Sequence, residues 1–216
     1  MGEKARTRTQ LASALVAGGL LVALAITLLV VRPAPVKAWA TPPCAFLTGG
    51  GWIVHYGAHA NFGIGGGCKQ GSPTWGHLEY IDHGISLNVH GTSITAYLFV
   101  DQGTGVDPKT HQPTGTREIC GTATTNLYGD VNFAVRAADL GEPGVNDQFD
   151  IRLTDMSGAP VYDTTTQCVP HFLGSFAPCA PGNGGGGNNQ LHKPNPSNTG
   201  NFGGPCPADF GGGTIG

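Results

Sequence analysis

The chain has 216 residues, with 36 glycines and 16 prolines but only 12% charged residues. This composition disfavours long helices and coiled coils, because helix-forming straight-chain residues are few and turn-forming residues are many. After Ala40 only six basic residues accompany 13 acidic ones, so the chain lacks the clustered lysines and arginines that nucleic-acid binding requires. No nucleic-acid partner is expected.

Residues 1–40 have the pattern of an export signal. Three basic residues precede an apolar run of 21 residues, 11–31, and a polar stretch follows it up to the small residue Ala40. Cleavage after Ala40 predicts a secreted or cell-surface protein that begins at Thr41. The run also approaches the roughly 20 residues that span a bilayer, so an uncleaved transmembrane helix that anchors the chain to the membrane is the alternative. In both cases the remainder lies outside the cell.

Seven short segments then combine period-two alternation or β-branched residues with flanking turn residues. They are 51–56, 77–82, 85–90, 93–100, 118–125, 130–138 and 148–154. We therefore predict an all-β fold, an antiparallel β-sandwich, for residues 41–193. In the sixth segment the alternation places Val131, Phe133, Val135 and Ala137 towards the core.

Six cysteines follow the export segment: Cys44, Cys68, Cys120, Cys168, Cys179 and Cys206. An even number of cysteines in an oxidising compartment indicates disulfide bonds that staple the fold. The chain has no C-x-x-C pair of the kind found in zinc knuckles and thioredoxin-like sites. The spacing does not select one pairing over another.

The last segment, residues 194–216, is rich in glycine, proline and asparagine. It has too few bulky apolar residues to offset the entropy of ordering its backbone, which predicts a flexible tail. Cys206 gives an alternative, in which a disulfide ties the tail to the domain or to another chain.

The loop after the sixth segment carries three carboxylates, Asp139, Glu142 and Asp147. Calcium takes six to eight oxygen ligands from such loops, so calcium is the one cofactor that the sequence offers for this region. The alternative is an ordinary turn around Pro143 and Gly144, with the carboxylates solvated.

Histidines and carboxylates also cluster in residues 77–90. His77 and Glu79 are two residues apart and share one face of a strand, and His90 on the next strand is within reach, which gives a candidate zinc site. The alternative is that these residues line the polar face of a sheet. The same region also contains Asp82 and His83. The second candidate function is therefore a small extracellular hydrolase that acts on glycans or esters.

Two tryptophans have different expected roles. Trp52 follows three glycines and precedes two apolar residues, so we expect it to fill the core. Trp75 lies in a segment of glycine, proline and serine, where an exposed aromatic ring can stack on a ligand. Trp75 is therefore the candidate ligand-binding residue.

Seven segments, some of which overlap the predicted strands, follow one another in the order expected for a known bacterial domain: 48–53, 60–63, 78–83, 87–92, 121–124, 141–144 and 190–193. Together they resemble the post-choice-of-anchor domain of secreted and surface proteins of bacteria. The resemblance implies an extracellular β-rich module with no assigned activity. We therefore expect a binding or structural module without catalysis, with glycans or surface proteins as partners and membrane contact only through the N-terminal segment.

Overall fold

The computed structural model describes residues 45–69, 72–182, 185–194 and 204–211. They belong to one of the two contact units of the chain, Lys37–Gly216. The predicted export segment, residues 1–40, lies outside the described residues. Within the part of the chain that is described, no helix is long and apolar enough to cross a membrane.

The described residues form nine strands and one short 3₁₀ turn, Thr164–Thr166. The strands are β1 (Phe46–His55), β2 (Ala58–Lys69), β3 (Ser72–Asp82), β4 (Leu87–Asp101), β5 (Gly115–Thr125), β6 (Gly129–Asp139), β7 (Gln148–Asp155), β8 (Pro160–Asp163) and β9 (Gly187–His192). All are antiparallel to their neighbours in one sheet, in the order β8-β7-β6-β5-β4-β3-β2-β1-β9. The prediction of an all-β antiparallel fold is confirmed.

Strands β2 and β3 contact strands β7 and β8 across a shared hydrophobic core, although these pairs are not neighbours in the sheet. Phe62 on β2 stacks on Phe149 of β7 with the ring centroids 3.8 Å apart. Across the same interior, the hydroxyl of Tyr80 on β3 lies 2.6 Å from that of Tyr162 on β8. Because β4 is hydrogen-bonded to both β3 and β5, all nine strands belong to a single sheet. A sandwich of two separate sheets stays a prediction.

The predicted side-chain alternation agrees with the burial of individual residues. Val131, Phe133, Val135 and Ala137 on β6 are all fully buried. The predicted segments 85–90 and 93–100 join in one strand, β4, whose register shifts after Gly91. A Cβ at Gly91 would lie 2.9 Å from the backbone nitrogen of Leu78, so glycine permits the close approach of β3 and β4 at this shift.

Disulfides connect distant parts of the chain. Cys120 on β5 bonds to Cys206, and Cys168 bonds to Cys179. Cys68 is also disulfide-bonded, and Cys44 lies outside the described residues. These bonds are typical of a protein that folds in an oxidising compartment.

Residues 204–211 are not a flexible tail as predicted. The structure shows the alternative, in which a disulfide at Cys206 ties this segment to the domain. The bond to Cys206 brings this segment onto the outer face of β5, β6 and β7, where Ala208 is completely buried. The guanidinium of Arg152 donates to the carbonyl of Asp209 at 2.7 Å, and the Phe210 ring lies 4.9 Å from the guanidiniums of both Arg136 and Arg152. This part of the tail is therefore docked on the domain.

Candidate functional site

The outer face of β3 and β4 carries two histidines and a glutamate. On β3, His77 and Glu79 point away from the core because they alternate with the buried residues Leu78 and Tyr80. The strand register places His90 of β4 directly opposite Glu79. The sheet thus brings together the three residues that the sequence predicts as zinc ligands.

The side chains of His77, Glu79 and His90, hereafter the His–Glu–His cluster, converge on one carboxylate oxygen. Glu79 Oε1 lies 2.7 Å from Nε2 of His77 and 2.5 Å from Nδ1 of His90. The two imidazole rings are 4.9 Å apart and nearly perpendicular. The side chains are 51% to 62% exposed, so a dissolved ion reaches them directly.

The surroundings of Glu79 favour its ionised form. Desolvation, the largest influence, raises the pKa of the carboxyl. The hydrogen bonds and charges of His77 and His90 together outweigh desolvation, so the pKa of Glu79 lies below its ordinary value. The carboxylate is therefore available as a charged ligand in neutral solution.

The geometry of the cluster suits a divalent transition metal. The ligand atoms of His77, Glu79 and His90 all lie within 4.8 Å of one another. Tetrahedral zinc, with bonds of about 2.1 Å, places its ligand atoms roughly 3.4 Å apart, so small side-chain rotations are sufficient. Two imidazole nitrogens and one carboxylate oxygen are donors that zinc accepts, and they leave a fourth position open.

The other two members of the hydrolase candidate lie elsewhere. His83 is exposed, and its Nε2 lies 2.8 Å from Oδ1 of Asn61. Asp82 points into the core and is 2% exposed. Its Oδ2 lies 2.9 Å from Nδ1 of His55 and accepts a hydrogen bond of 2.7 Å from the hydroxyl of Tyr162. Asp82 and His83 therefore do not join Glu79 and His90.

The network around Asp82 is a buried structural feature that the sequence does not indicate. Desolvation raises the pKa of Asp82, but the hydrogen bonds from His55, Tyr162 and the Gly84 amide outweigh it, and the pKa is lowered. A second pair lies nearby, where Nδ1 of the fully buried His171 is 2.7 Å from Oδ1 of Asp150. In each of these pairs the histidine and the aspartate are more than 20 residues apart in the chain, so no short sequence motif marks them.

An open groove of about 390 Å³ borders the His–Glu–His cluster. Glycines of β2 and β3 form much of its lining, and Trp75 contributes its aromatic side chain. His77 and Glu79 line the groove as well, because Trp75, His77 and Glu79 alternate along one face of β3. The predicted ligand-binding tryptophan and the predicted zinc ligands therefore share one surface.

Residues from other strands surround the Trp75 ring. The ammonium of Lys69 lies 4.3 Å from the centroid of the Trp75 ring and 5.0 Å from that of Phe46. Phe46 in turn stacks on His192 of β9, at 4.2 Å between centroids. Sequence analysis missed Lys69, Phe46 and His192, because strand pairing brings them together. The pairing of β9 with β1 places His192 beside Phe46, and the pairing of β2 with β3 brings residue 69 close to residue 75.

The expectation that Trp52 fills the core is wrong. Its side chain lies on the outer face of β1, where the ring stacks on His59 with a centroid distance of 4.3 Å. Phe176, which is 77% exposed, lies 5.3 Å from the Trp52 ring. The glycines before Trp52 instead allow close contact with residues 186–189.

The three carboxylates of the predicted calcium site accept hydrogen bonds from the protein itself, two of them from backbone amides. Asp147 accepts hydrogen bonds from the amides of Leu140 and Asn189, at 2.8 and 2.7 Å. Asp139 accepts from the amides of Gly141 and Leu191, at 3.0 and 2.7 Å.

The third carboxylate, Glu142, accepts from the side-chain amide of Asn188 at 2.9 Å. Two of the donors, the amides of residues 189 and 191, belong to β9. The loop therefore fixes β9 to the end of β6, and among the described residues its carboxylates do not converge as a three-ligand metal group.

Burial determines the protonation of this loop. Asp147 is completely buried, and desolvation raises its pKa to about 7, with further increases from Asp139 and Glu142. The two backbone amides that it accepts from act in the opposite direction. The pKa of Asp139 is raised as well, mainly by desolvation.

Comparisons with protein-family models, curated proteins and solved structures found no match.

Proposed function

We propose that the protein is an exported β-sandwich module, stapled by disulfides, that acts at the bacterial cell surface or in the secretome by binding. Its binding site is the outer face of β3 and β4, and a divalent transition metal held by His77, Glu79 and His90 is part of that site. The observation that carries the proposal is the convergence of both imidazoles on a single exposed carboxylate oxygen. The resemblance to post-choice-of-anchor domains, with their extracellular setting, is part of the same proposal.

The arrangement of the neighbouring residues favours binding over hydrolysis. General acid–base catalysis needs its acid and base to face the same substrate atoms. Asp82 and Glu79 are instead on opposite faces of the sheet, and His83 hydrogen-bonds to Asn61. A rigid sheet with an exposed groove is the usual setting for recognition by side chains of fixed position.

Isothermal titration of the purified full-length protein with zinc tests the proposal. We expect one zinc ion per chain, and we expect His90→Ala to weaken the affinity by at least about tenfold, the scale of loss reported even for outer partners of zinc ligands. His77→Ala should have a similar effect. His83→Ala is the matched control, because His83 is an exposed histidine directly after β3 and is not part of the His–Glu–His cluster.

Circular dichroism of each variant verifies that the fold is retained. Equal zinc affinity of wild type and His90→Ala, or an equal loss in His83→Ala, would contradict the proposal.

A further inference from the structure

The groove beside the His–Glu–His cluster has the size and lining of a ligand site. Its volume of about 390 Å³ lies within the range of small-molecule sites, roughly 300 to 1,000 Å³. Its ends differ in chemistry, since one carries Trp75 and the other carries His77 and Glu79. A ligand that fills the groove therefore meets an aromatic ring and the metal cluster at the same time.

The charges around the groove favour an anion. The Lys69 ammonium lies over the Trp75 ring, and among the described residues that line the groove Glu79 is the one acidic residue. A divalent cation in the cluster outweighs that single carboxylate. Positive charge then lies at the cluster end of the groove and, on Lys69, beside the Trp75 ring at the other end, although the whole chain has a formal net charge of −3. This complementarity selects a ligand that bears carboxylate or similar groups.

The form of the groove favours a ring over an extended peptide. Strand β2, which forms the floor of the groove, is paired with β1 on one side and with β3 on the other, so the floor offers no free edge to which a peptide strand could add. Trp75 instead offers an aromatic surface, which binds flat rings with apolar faces.

From these features we infer that the groove binds an acidic sugar, a uronic acid unit of a glycan. The sugar ring packs on Trp75, and its carboxylate completes the coordination of the metal held by His77, Glu79 and His90. Lys69 contributes a second positive charge at the opposite end. The inference rests on the proposed metal site, because without the cation the cluster end of the groove is not positive.

Gly63 provides a variant that separates the groove from the cluster. It lies in the groove lining, its φ is not in the left-handed region, and a Cβ there would have no atom within 4 Å. There is thus room for the Cβ of Gly63→Val, which adds side-chain volume to the groove and replaces none of the three metal ligands. Trp75→Ala removes the aromatic ring, and Phe176→Ala is its control because Phe176 is an exposed aromatic residue outside the groove lining.

The test is a titration of the full-length protein with trigalacturonate, in zinc and in EDTA. We expect binding in zinc and binding at least about tenfold weaker in EDTA, in Gly63→Val and in Trp75→Ala. Phe176→Ala should bind trigalacturonate like wild type, and Gly63→Val should still bind zinc because it keeps all three metal ligands. Maltotriose, a neutral trisaccharide, and triglutamate, an anion without a sugar ring, should both bind at least tenfold more weakly than trigalacturonate.

The outcomes distinguish the two proposals. If zinc itself does not bind, the proposed function fails. If zinc binds but trigalacturonate does not, the inference about the groove is overturned while the metal site remains. Equal binding of triglutamate would overturn it as well, because charge alone would explain the affinity. Equal binding by Gly63→Val would place the sugar outside the groove.

Discussion

The carboxylates of this protein show how the immediate surroundings determine the charge of a residue. Glu79 is half exposed and lies between two imidazoles, and its pKa is lowered. Asp147 is completely buried beside Asp139 and Glu142, and its pKa is raised to about 7. The first carboxylate suits a cation from solution, whereas the second accepts backbone amides inside the fold.

The raised pKa of Asp147 predicts a specific dependence of stability on pH. Between the ordinary value of 3.8 and about 7, the folded chain holds a proton on Asp147 that the unfolded chain has released. Folded protein binds more protons in this window, so the free energy of unfolding decreases as pH rises from about 4 to about 7. The contribution is fully present below about pH 4 and is lost above about pH 7, and it amounts to a few kcal/mol.

Asp147→Asn removes this titration. The variant should be less stable than wild type at pH 4, because its amide nitrogen opposes the Asn189 amide that Asp147 accepts from. The deficit should shrink as the pH rises, since only the wild type loses stability through deprotonation of residue 147. Urea unfolding at several pH values between 4 and 7.5 measures the difference. Parallel pH profiles for the two proteins would show that Asp147 does not titrate in this window.

At the level of elements, glycine has two separate uses in the strands. Gly121 on β5 is enclosed, since a Cβ there would lie 2.0 Å from the carbonyl oxygen of Ser93 and 2.6 Å from the ring of Phe133. Gly63 on β2 faces open space in the groove lining. The first glycine allows two strands and an aromatic ring to pack closely, and the second leaves room for a ligand.

A pair of alanine substitutions tests this difference. Gly121→Ala should lower the free energy of unfolding by about 3 kcal/mol, the upper end of the cost of overpacking, because the backbone oxygen at 2.0 Å cannot move aside freely. Gly63→Ala should leave it unchanged or raise it by up to about 1 kcal/mol, since the alanine restricts the unfolded chain without a clash. Chemical denaturation measures both. Equal effects of the two substitutions on the free energy of unfolding would contradict the different roles given to Gly121 and Gly63.

Strand prediction succeeded and failed for identifiable reasons. The segment 130–138 alternates Val131, Phe133, Val135 and Ala137 with other residues, and β6 has that inward row. β2 contains four glycines and its pattern is weak, because glycine is depleted in strands and marks close backbone approach instead. β9 is recognisable only from its partners on β1 and on the Asp139–Asp147 loop.

At the level of the whole molecule, residues 204–211 pack on the outer face of β5, β6 and β7. The Cys120–Cys206 bond spans 86 residues, whereas the Cys168–Cys179 bond spans 11. In the chain-entropy model a bond that closes a longer loop restricts the unfolded chain more. The tail is thus positioned to stabilise the sheet from outside its main core.

Replacing each disulfide by two alanines tests this contribution. The double variant Cys120→Ala, Cys206→Ala should lose about 4 to 5 kcal/mol of unfolding free energy, and Cys168→Ala, Cys179→Ala should lose about 3 kcal/mol. Urea unfolding under non-reducing conditions measures both losses. A larger loss for the short loop would contradict the chain-entropy explanation and would indicate that native contacts near residues 168–179 dominate.

The sequence by itself determined the local features of this protein. Alternation in segments such as 130–138 predicted strands, and an even number of cysteines after an export-like segment predicted disulfides. The spacing of His77 and Glu79 predicted that they share a face, since that depends only on the period of a strand. Each of these features depends on residues within one segment or on composition.

Only the tertiary structure decided which distant residues meet. Strand register placed His90 opposite Glu79, the β1–β9 pairing brought His192 to Phe46, and burial converted Asp139 and Asp147 from candidate calcium ligands into acceptors for β9. The physical reason is that pairing register and desolvation are properties of the packed chain. They depend on contacts between residues far apart in the chain, such as Thr48 and His192, which are 144 positions apart, and no local pattern encodes such contacts.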